Sequence, residues 1–145
     1  MKTTDTTAKP VILIVDDEMD MRIFMSTLFE TSGFKPVAAR DGGQGLARAR
    51  GNRPDLVILD VMMPGEGGAL MYKALKGDPQ LRDIPVIMLS AVNETSFRHY
   101  LKMLNAQSAD PLPDPEAYME KPPESDELLE CVGDCLAKAV KPATV

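Results

Sequence analysis

Asp16, Asp17, Asp60, Ser90 and Lys121 are the residues whose types could do chemistry together. Each stands at the end of a short apolar run. Val11–Val15 precedes the two acids, Leu56–Leu59 precedes Asp60, Pro85–Leu89 precedes Ser90, and Ala117–Glu120 precedes Lys121. Carboxylates on adjacent strand ends raise each other's pKa values unless a cation sits between them. A hard divalent ion with oxygen ligands is the simplest remedy. Magnesium typically takes one or two carboxylates, keeps waters, and uses a substrate phosphate for the rest. A carboxylate can also attack a phosphoryl group and become an aspartyl phosphate. A lysine ammonium and a serine hydroxyl suit the equatorial oxygens of such a transfer.

The elements that position these residues are legible in the hydrophobic pattern. Val11-Ile12-Leu13-Ile14-Val15 is β-branched and apolar throughout, as in a strand covered on both faces. Met21, Phe24, Met25 and Leu28 follow at helical spacing, with Gly33 as a stop. Pro36 to Ala39 is a weaker strand, and Asp41-Gly42-Gly43 leads into a helix through Leu46 and Ala49. Leu56–Leu59 is a second apolar strand, and Pro64–Gly68 is a loop. Leu70, Met71, Ala74 and Leu75 mark the next helix face; Phe97, Tyr100, Leu101 and Leu104 mark another. Residues 106–116 carry Pro111, Pro113 and Pro115, which bars regular helix. The last helix carries Leu128, Val132, Cys135, Leu136 and Ala139 on one face. Strand and helix alternate five times, which gives an α/β fold with a parallel sheet and helices on both faces. Functional groups in such sheets gather at the carboxyl ends of the strands.

Composition narrows the function classes. The chain has 145 residues, 16 Lys+Arg, 22 Asp+Glu and a net charge of -6. The length suits one domain with its own core. The acidic balance argues against an electrostatic grip on nucleic acid or an anionic membrane. No apolar run is long enough to span a bilayer, and the first ten residues have no apolar signal region. Cys131 and Cys135 form no disulfide framework and read as core packing, so a cytoplasmic location is expected. The expected organisation is a tail at 1–9, one domain over 10–140 with a Pro-rich insertion near 106–116, and a tail at 141–145. His99 reads as a surface residue.

The chain resembles a response-regulator receiver domain of bacterial two-component signalling. The resemblance rests on four stretches in order, spanning about Val11 to Lys138. They are Val11–Glu18 (VILIVDDE), Leu56–Gly65 (LVILDVMMPG), Ile84–Ala91 (IPVIMLSA) and Tyr118–Pro122 (YMEKP). It implies a flavodoxin-like, doubly wound (βα)5 three-layer sandwich with sheet order 2-1-3-4-5. It makes Asp60 the phosphoacceptor. Asp17 and Asp60 would bind Mg²⁺ directly with the Met62 backbone carbonyl, and Asp16 mainly through water. Ser90 and Lys121 would contact the phosphoryl group, and the Tyr118 rotamer would follow the state of Ser90. The donor would be a sensor histidine kinase or phosphotransfer protein. The output would be a downstream protein effector, reached through the fourth helix, fifth strand and fifth helix. The resemblance fits a stand-alone monomer or a phosphorylation-linked dimer, a signalling protein rather than an enzyme. In this family the positions two after the phosphoacceptor and two after the Ser90 equivalent tune water access. Apolar Met62 and Val92 therefore imply a long-lived phosphoryl group.

Two stretches depart from the family pattern. Glu66-Gly67-Gly68 lacks the usual Asp, and with it an N-cap worth about 1 kcal/mol. Residues 91–120 are more than the family usually places between Ser90 and Lys121. Plainer readings stand beside the sharp ones: Ser90 as a helix cap, Lys121 as a loop lysine, Tyr118 as a packed strand aromatic. Rival functions are an aspartyl-nucleophile phosphatase, a flavodoxin-like cofactor binder and a degenerate receiver that docks partners without phosphorylation. The first would need a second Asp where Met62 stands. The second would need a Gly-rich phosphate loop where Asp16-Asp17-Glu18 stands.

Overall fold

Strict two-residue alternation sorts the strand side chains onto two faces of one sheet. The computed structural model describes residues 8–61, 67–106 and 112–139. In chain order these form β1 (Val11–Val15), α1 (Met19–Thr31), β2 (Lys35–Ala39), α2 (Gly42–Gly51) and β3 (Leu56–Asp60). There follow α3 (Gly67–Gly77), β4 (Val86–Ser90), α4 (Glu94–Ala106), β5 (Ala117–Glu120) and α5 (Ser125–Ala139). The five strands are parallel in the order β2-β1-β3-β4-β5. Leu13, Val15, Val57, Leu59, Val86 and Met88 pack in one core with Ala49 of α2, Met71, Tyr72 and Leu75 of α3, and Phe97 and Leu101 of α4. Ile12, Ile14, Leu56, Ile58, Ile87 and Leu89 pack in the other, with Met25 and Phe29 of α1 and Leu128, Val132 and Cys135 of α5. The result is the expected three-layer sandwich.

Pro36 is tolerated because β2 is an edge strand. The chain leaves β1 through α1 on one face and leaves β2 through α2 on the other. The order therefore reverses at β1, which opens a crevice between the carboxyl ends of β1 and β3.

Helix phases differ from the expected stripes at two places. Phe24 is 36% exposed, and α1 buries Met25 and Phe29 instead. Leu70 is 60% exposed, while Tyr72 is buried beside Met71 and Leu75. Both sequences offer more apolar residues than one helix face can bury, so packing selects the phase. The Leu104 side chain lies outside the described residues.

The caps are local. Asp41 accepts from the Gln44 N–H at 2.7 Å, and Gln44 accepts from the Arg40 N–H at 2.9 Å, a reciprocal start for α2. Asn93 caps α4 by accepting from the Ser96 N–H at 2.8 Å. Ser90 is therefore not the α4 cap, because Asn93 stands closer to the helix start. Gly67 and Gly68, expected in the Pro64–Gly68 loop, instead open α3; residues 62–66 and residues 107–111 of the Pro-rich stretch lie outside the described residues, as do 1–7 and 140–145.

Residues 112–116 form a strap across α3, α4 and β4. Asn105 and the Leu112 backbone exchange two hydrogen bonds, of 2.7 and 3.3 Å. The Tyr72 hydroxyl donates to the Pro113 carbonyl at 2.7 Å. The Val86 N–H donates to the Glu116 carboxylate at 2.8 Å. The strap hands the chain directly to β5.

Candidate functional site

The carboxyl ends of β1, β3, β4 and β5 bring the sequence-selected residues to one crevice. The Asp16 N–H donates to the Ala39 carbonyl at 3.1 Å, so β1 pairing continues into the first acid. Asp16 is fully buried. Its Oδ1 accepts from the Glu18 N–H at 2.9 Å, and its carbonyl accepts from Arg22 Nη1 at 2.8 Å. Asp17 is exposed. Asp60 ends β3 and Ser90 ends β4, both buried. Ser90 Oγ accepts from the Val92 N–H at 3.3 Å. The Lys121 N–H donates to the Ser90 carbonyl at 2.8 Å, which extends the β4–β5 ladder by one step and aims the lysine at the crevice. The Lys121–Pro122 peptide bond is cis.

Lys121 Nζ donates to Asp60 Oδ2 at 3.1 Å and to Glu18 Oε1 at 2.8 Å. It also lies 2.9 Å from Asp16 Oδ2. That last approach is an ion pair without hydrogen-bond alignment, so buried Asp16 Oδ2 has no hydrogen-bond donor. Burial draws the Lys121 pKa down, but its contacts with the Glu18, Asp16 and Asp60 carboxylates outweigh it and hold the ammonium above its ordinary value. The lysine is thus a fixed positive charge against the Asp60 carboxylate.

Asp16, Asp17 and Asp60 each offer an oxygen within 4.8 Å of the others. The donor set is all oxygen, one buried oxygen lacks a hydrogen-bond donor, and exposed Asp17 leaves an entry side. These properties fit a hard divalent cation. The Met62 carbonyl, the further expected ligand, lies outside the described residues.

Tyr118 joins the site through its hydroxyl, which donates to the Val92 carbonyl. Its ring stacks on Phe97, with centroids 4.6 Å apart and planes 15° apart. Burial raises its pKa, partly offset by the Ser90 hydroxyl. Tyr118 is both a packed aromatic and a link between β5 and the β4–α4 turn. Val92 is half-buried against the core.

Two participants carry no mark in the sequence pattern. Glu18 was visible as the third acid of a run, but spacing alone did not aim it at Lys121. Gly68 sits where an added Cβ would lie 2.3 Å from the Asp60 carbonyl oxygen. His99 is exposed, and burial pushes the Cys135 thiol up to about 12, as suits core packing.

Comparison with known proteins agrees with this geometry. The family model described as response regulator receiver domain matches residues 12–132. The polar-differentiation response regulator DivK of Brucella anthropi is 31% identical over 131 residues, covering 90% of this chain and 98% of DivK. The phosphate regulon transcriptional regulatory protein PhoB of Klebsiella pneumoniae is 40% identical over 87 residues, 60% of this chain and 38% of PhoB. The chemotaxis protein CheY4 of Vibrio cholerae superposes with a TM-score of 0.76 at 26% identity, covering 88% of this chain and 99% of CheY4. A histidine-kinase receiver domain from Syntrophus aciditrophicus gives 0.76 at 27% identity, covering 94% and 96%.

Proposed function

Since the chain belongs to the response regulator receiver domain family, we propose that it accepts a phosphoryl group on Asp60 in a two-component phosphorelay. The donor is a sensor histidine kinase or a phosphotransfer protein. The observation that carries this reading is the Lys121 ammonium 3.1 Å from Asp60 Oδ2, beside the Asp16/Asp17/Asp60 cluster. An Asp60 oxygen forms a bond to phosphorus as the donor's P–N bond breaks, and the imidazole leaves with the electron pair. Lys121 and the Ser90 hydroxyl meet the charge on the phosphoryl oxygens. Asp16, Asp17 and Asp60, with the Met62 carbonyl, would hold Mg²⁺, which when bound supplies further positive charge there. The protein works as a signalling switch rather than on a separate substrate.

The output runs through Tyr118. Its hydroxyl holds the β4–α4 turn at Val92, and Ser90 is two residues away. A new dianion drawing on Ser90 biases this turn between two arrangements. A groove of about 240 Å³ between α4 and β5, lined by Phe97, Arg98, Asp114, Pro115 and Tyr118 among others, carries the change to a protein effector. Exposed Met19 and Ile23, one turn apart on α1, give a protein donor an apolar foothold near the site.

Intact-protein mass spectrometry with acetyl phosphate tests the reading. One phosphoryl group is gained with Mg²⁺, none without it, and none in Asp60→Ala. Apolar Met62 and Val92 keep attacking water out, so the gained mass persists for minutes after the donor is removed. Loss within seconds contradicts that role. No gain by folded wild type points to the rival reading, a phosphorylation-independent docking module.

A further inference from the structure

Lys121 is held by one carboxylate more than phosphoryl transfer requires. Its Nζ lies 3.1 Å from Asp60 Oδ2, 2.9 Å from Asp16 Oδ2 and 2.8 Å from Glu18 Oε1. An ammonium has three N–H donors and no acceptor. Glu18 and Asp60 take two of them by hydrogen bond and Asp16 lies against the ammonium as an ion pair, so a phosphoryl oxygen that comes within contact distance displaces one of the three. Asp16 and Asp60 are fixed at strand ends, with side chains 1% and 5% exposed. The Glu18 side chain is 59% exposed. Glu18 is also the N-cap residue of α1, yet its side chain makes no capping hydrogen bond. Exposed ion pairs are weak, so Glu18 is the contact that yields.

We propose that Glu18 is a positioning residue for Lys121 and discriminates against small anionic phosphodonors, an inference that rests on the acceptor function proposed above. Before transfer, Glu18 occupies one N–H of Lys121 and adds a fourth carboxylate at the exposed side of the site. A small dianionic donor meets that charge directly. In the transfer from acetyl phosphate, an Asp60 oxygen bonds to phosphorus, the P–O bond to the acetyl group breaks, and acetate leaves with the electron pair. Lys121 then exchanges Glu18 for a phosphoryl oxygen. The Glu18 carboxylate swings free at the start of α1.

The test compares initial phosphorylation rates of wild type and Glu18→Gln. The donors are acetyl phosphate, a dianion, and phosphoramidate, a net monoanion, at saturating Mg²⁺ in 0.05 M and 0.5 M KCl. Glu18→Gln reacts about three to ten times faster with acetyl phosphate at low salt, as Coulomb's law gives for one charge removed about 6 Å from a dianion. The gain is smaller with phosphoramidate and falls to about twofold or less at 0.5 M salt, where the screening length is only a few ångströms. A merely structural effect would change both donors alike and ignore salt, and that pattern overturns the proposal. So does a variant that matches wild type while wild type gains its phosphoryl group. A wild type that gains none overturns the acceptor function itself, which separates the two failures.

Discussion

Gly68 shows how one missing side chain fixes the reactive end of β3. A Cβ there would lie 2.3 Å from the Asp60 carbonyl oxygen and 2.8 Å from both Val61 Cα and the Val61 oxygen. All three are backbone atoms, so no rotamer change relieves the contact. Gly68→Ala must push the start of α3 away from Asp60. Overpacking of this kind costs about 1–3 kcal/mol. A urea titration should show the unfolding free energy falling by that amount, with a lower midpoint and slower phosphorylation of Asp60; an unchanged midpoint would mean that α3 shifts freely. The sequence made the five chemical residues legible because each stands where an apolar run stops. It did not make Glu18 or Gly68 legible as participants. Their roles depend on distances between chain segments, Glu18 reaching Lys121 across the sheet ends and Gly68 touching β3.

At the scale of elements, the strap 112–116 gives this receiver a connection of its own between α3, α4 and β5. Its anchor on α3 is the Tyr72 hydroxyl, donated to the Pro113 carbonyl from a fully buried ring. Burial, with Glu116 and Asp114 nearby, raises the Tyr72 pKa above its usual 10.0. A raised folded-state pKa means that the folded protein holds its proton longer than the unfolded chain. The Tyr72 contribution is therefore complete below pH 10 and is lost as pH rises above it. Tyr72→Phe should cost about 1 kcal/mol at pH 7, the net worth of one hydrogen bond. It should also flatten the fall in stability above pH 10. Denaturant midpoints of both proteins from pH 7 to pH 11 measure the two effects; parallel curves would remove Tyr72 as the strap's titrating anchor. The same helix illustrates what periodicity leaves open. Leu70, Met71, Tyr72 and Leu75 allow more than one inward phase, and the strap together with the sheet selects the one that buries Tyr72 and exposes Leu70.

Across the whole molecule, the two-face core followed from the consecutive apolar residues of β1, β3 and β4, whereas the order β2-β1-β3-β4-β5 was implied by the family resemblance. Continuous apolar runs force coverage on both sides, and helices between parallel strands provide it. The same topology gathers Asp16, Asp17 and Asp60 at one end of a chain already at net -6. Only Lys121 among the described residues meets both Asp16 and Asp60 there. Folding thus concentrates negative charge that the unfolded chain keeps apart, and a cation bound to the folded state must stabilise it. With Mg²⁺ at ten times its dissociation constant the gain is about 1.4 kcal/mol. For a chain of this size that is a rise in Tm of about 3–6 °C. Asp17→Asn, an exposed change, should remove most of the rise and leave the metal-free Tm nearly unaltered. Scanning calorimetry in MgCl2, against KCl matched for ionic strength, distinguishes a seated ion from general screening. An equal rise in wild type and Asp17→Asn would mean that the three carboxylates act only as a diffuse charge, and that the crevice holds no metal of its own.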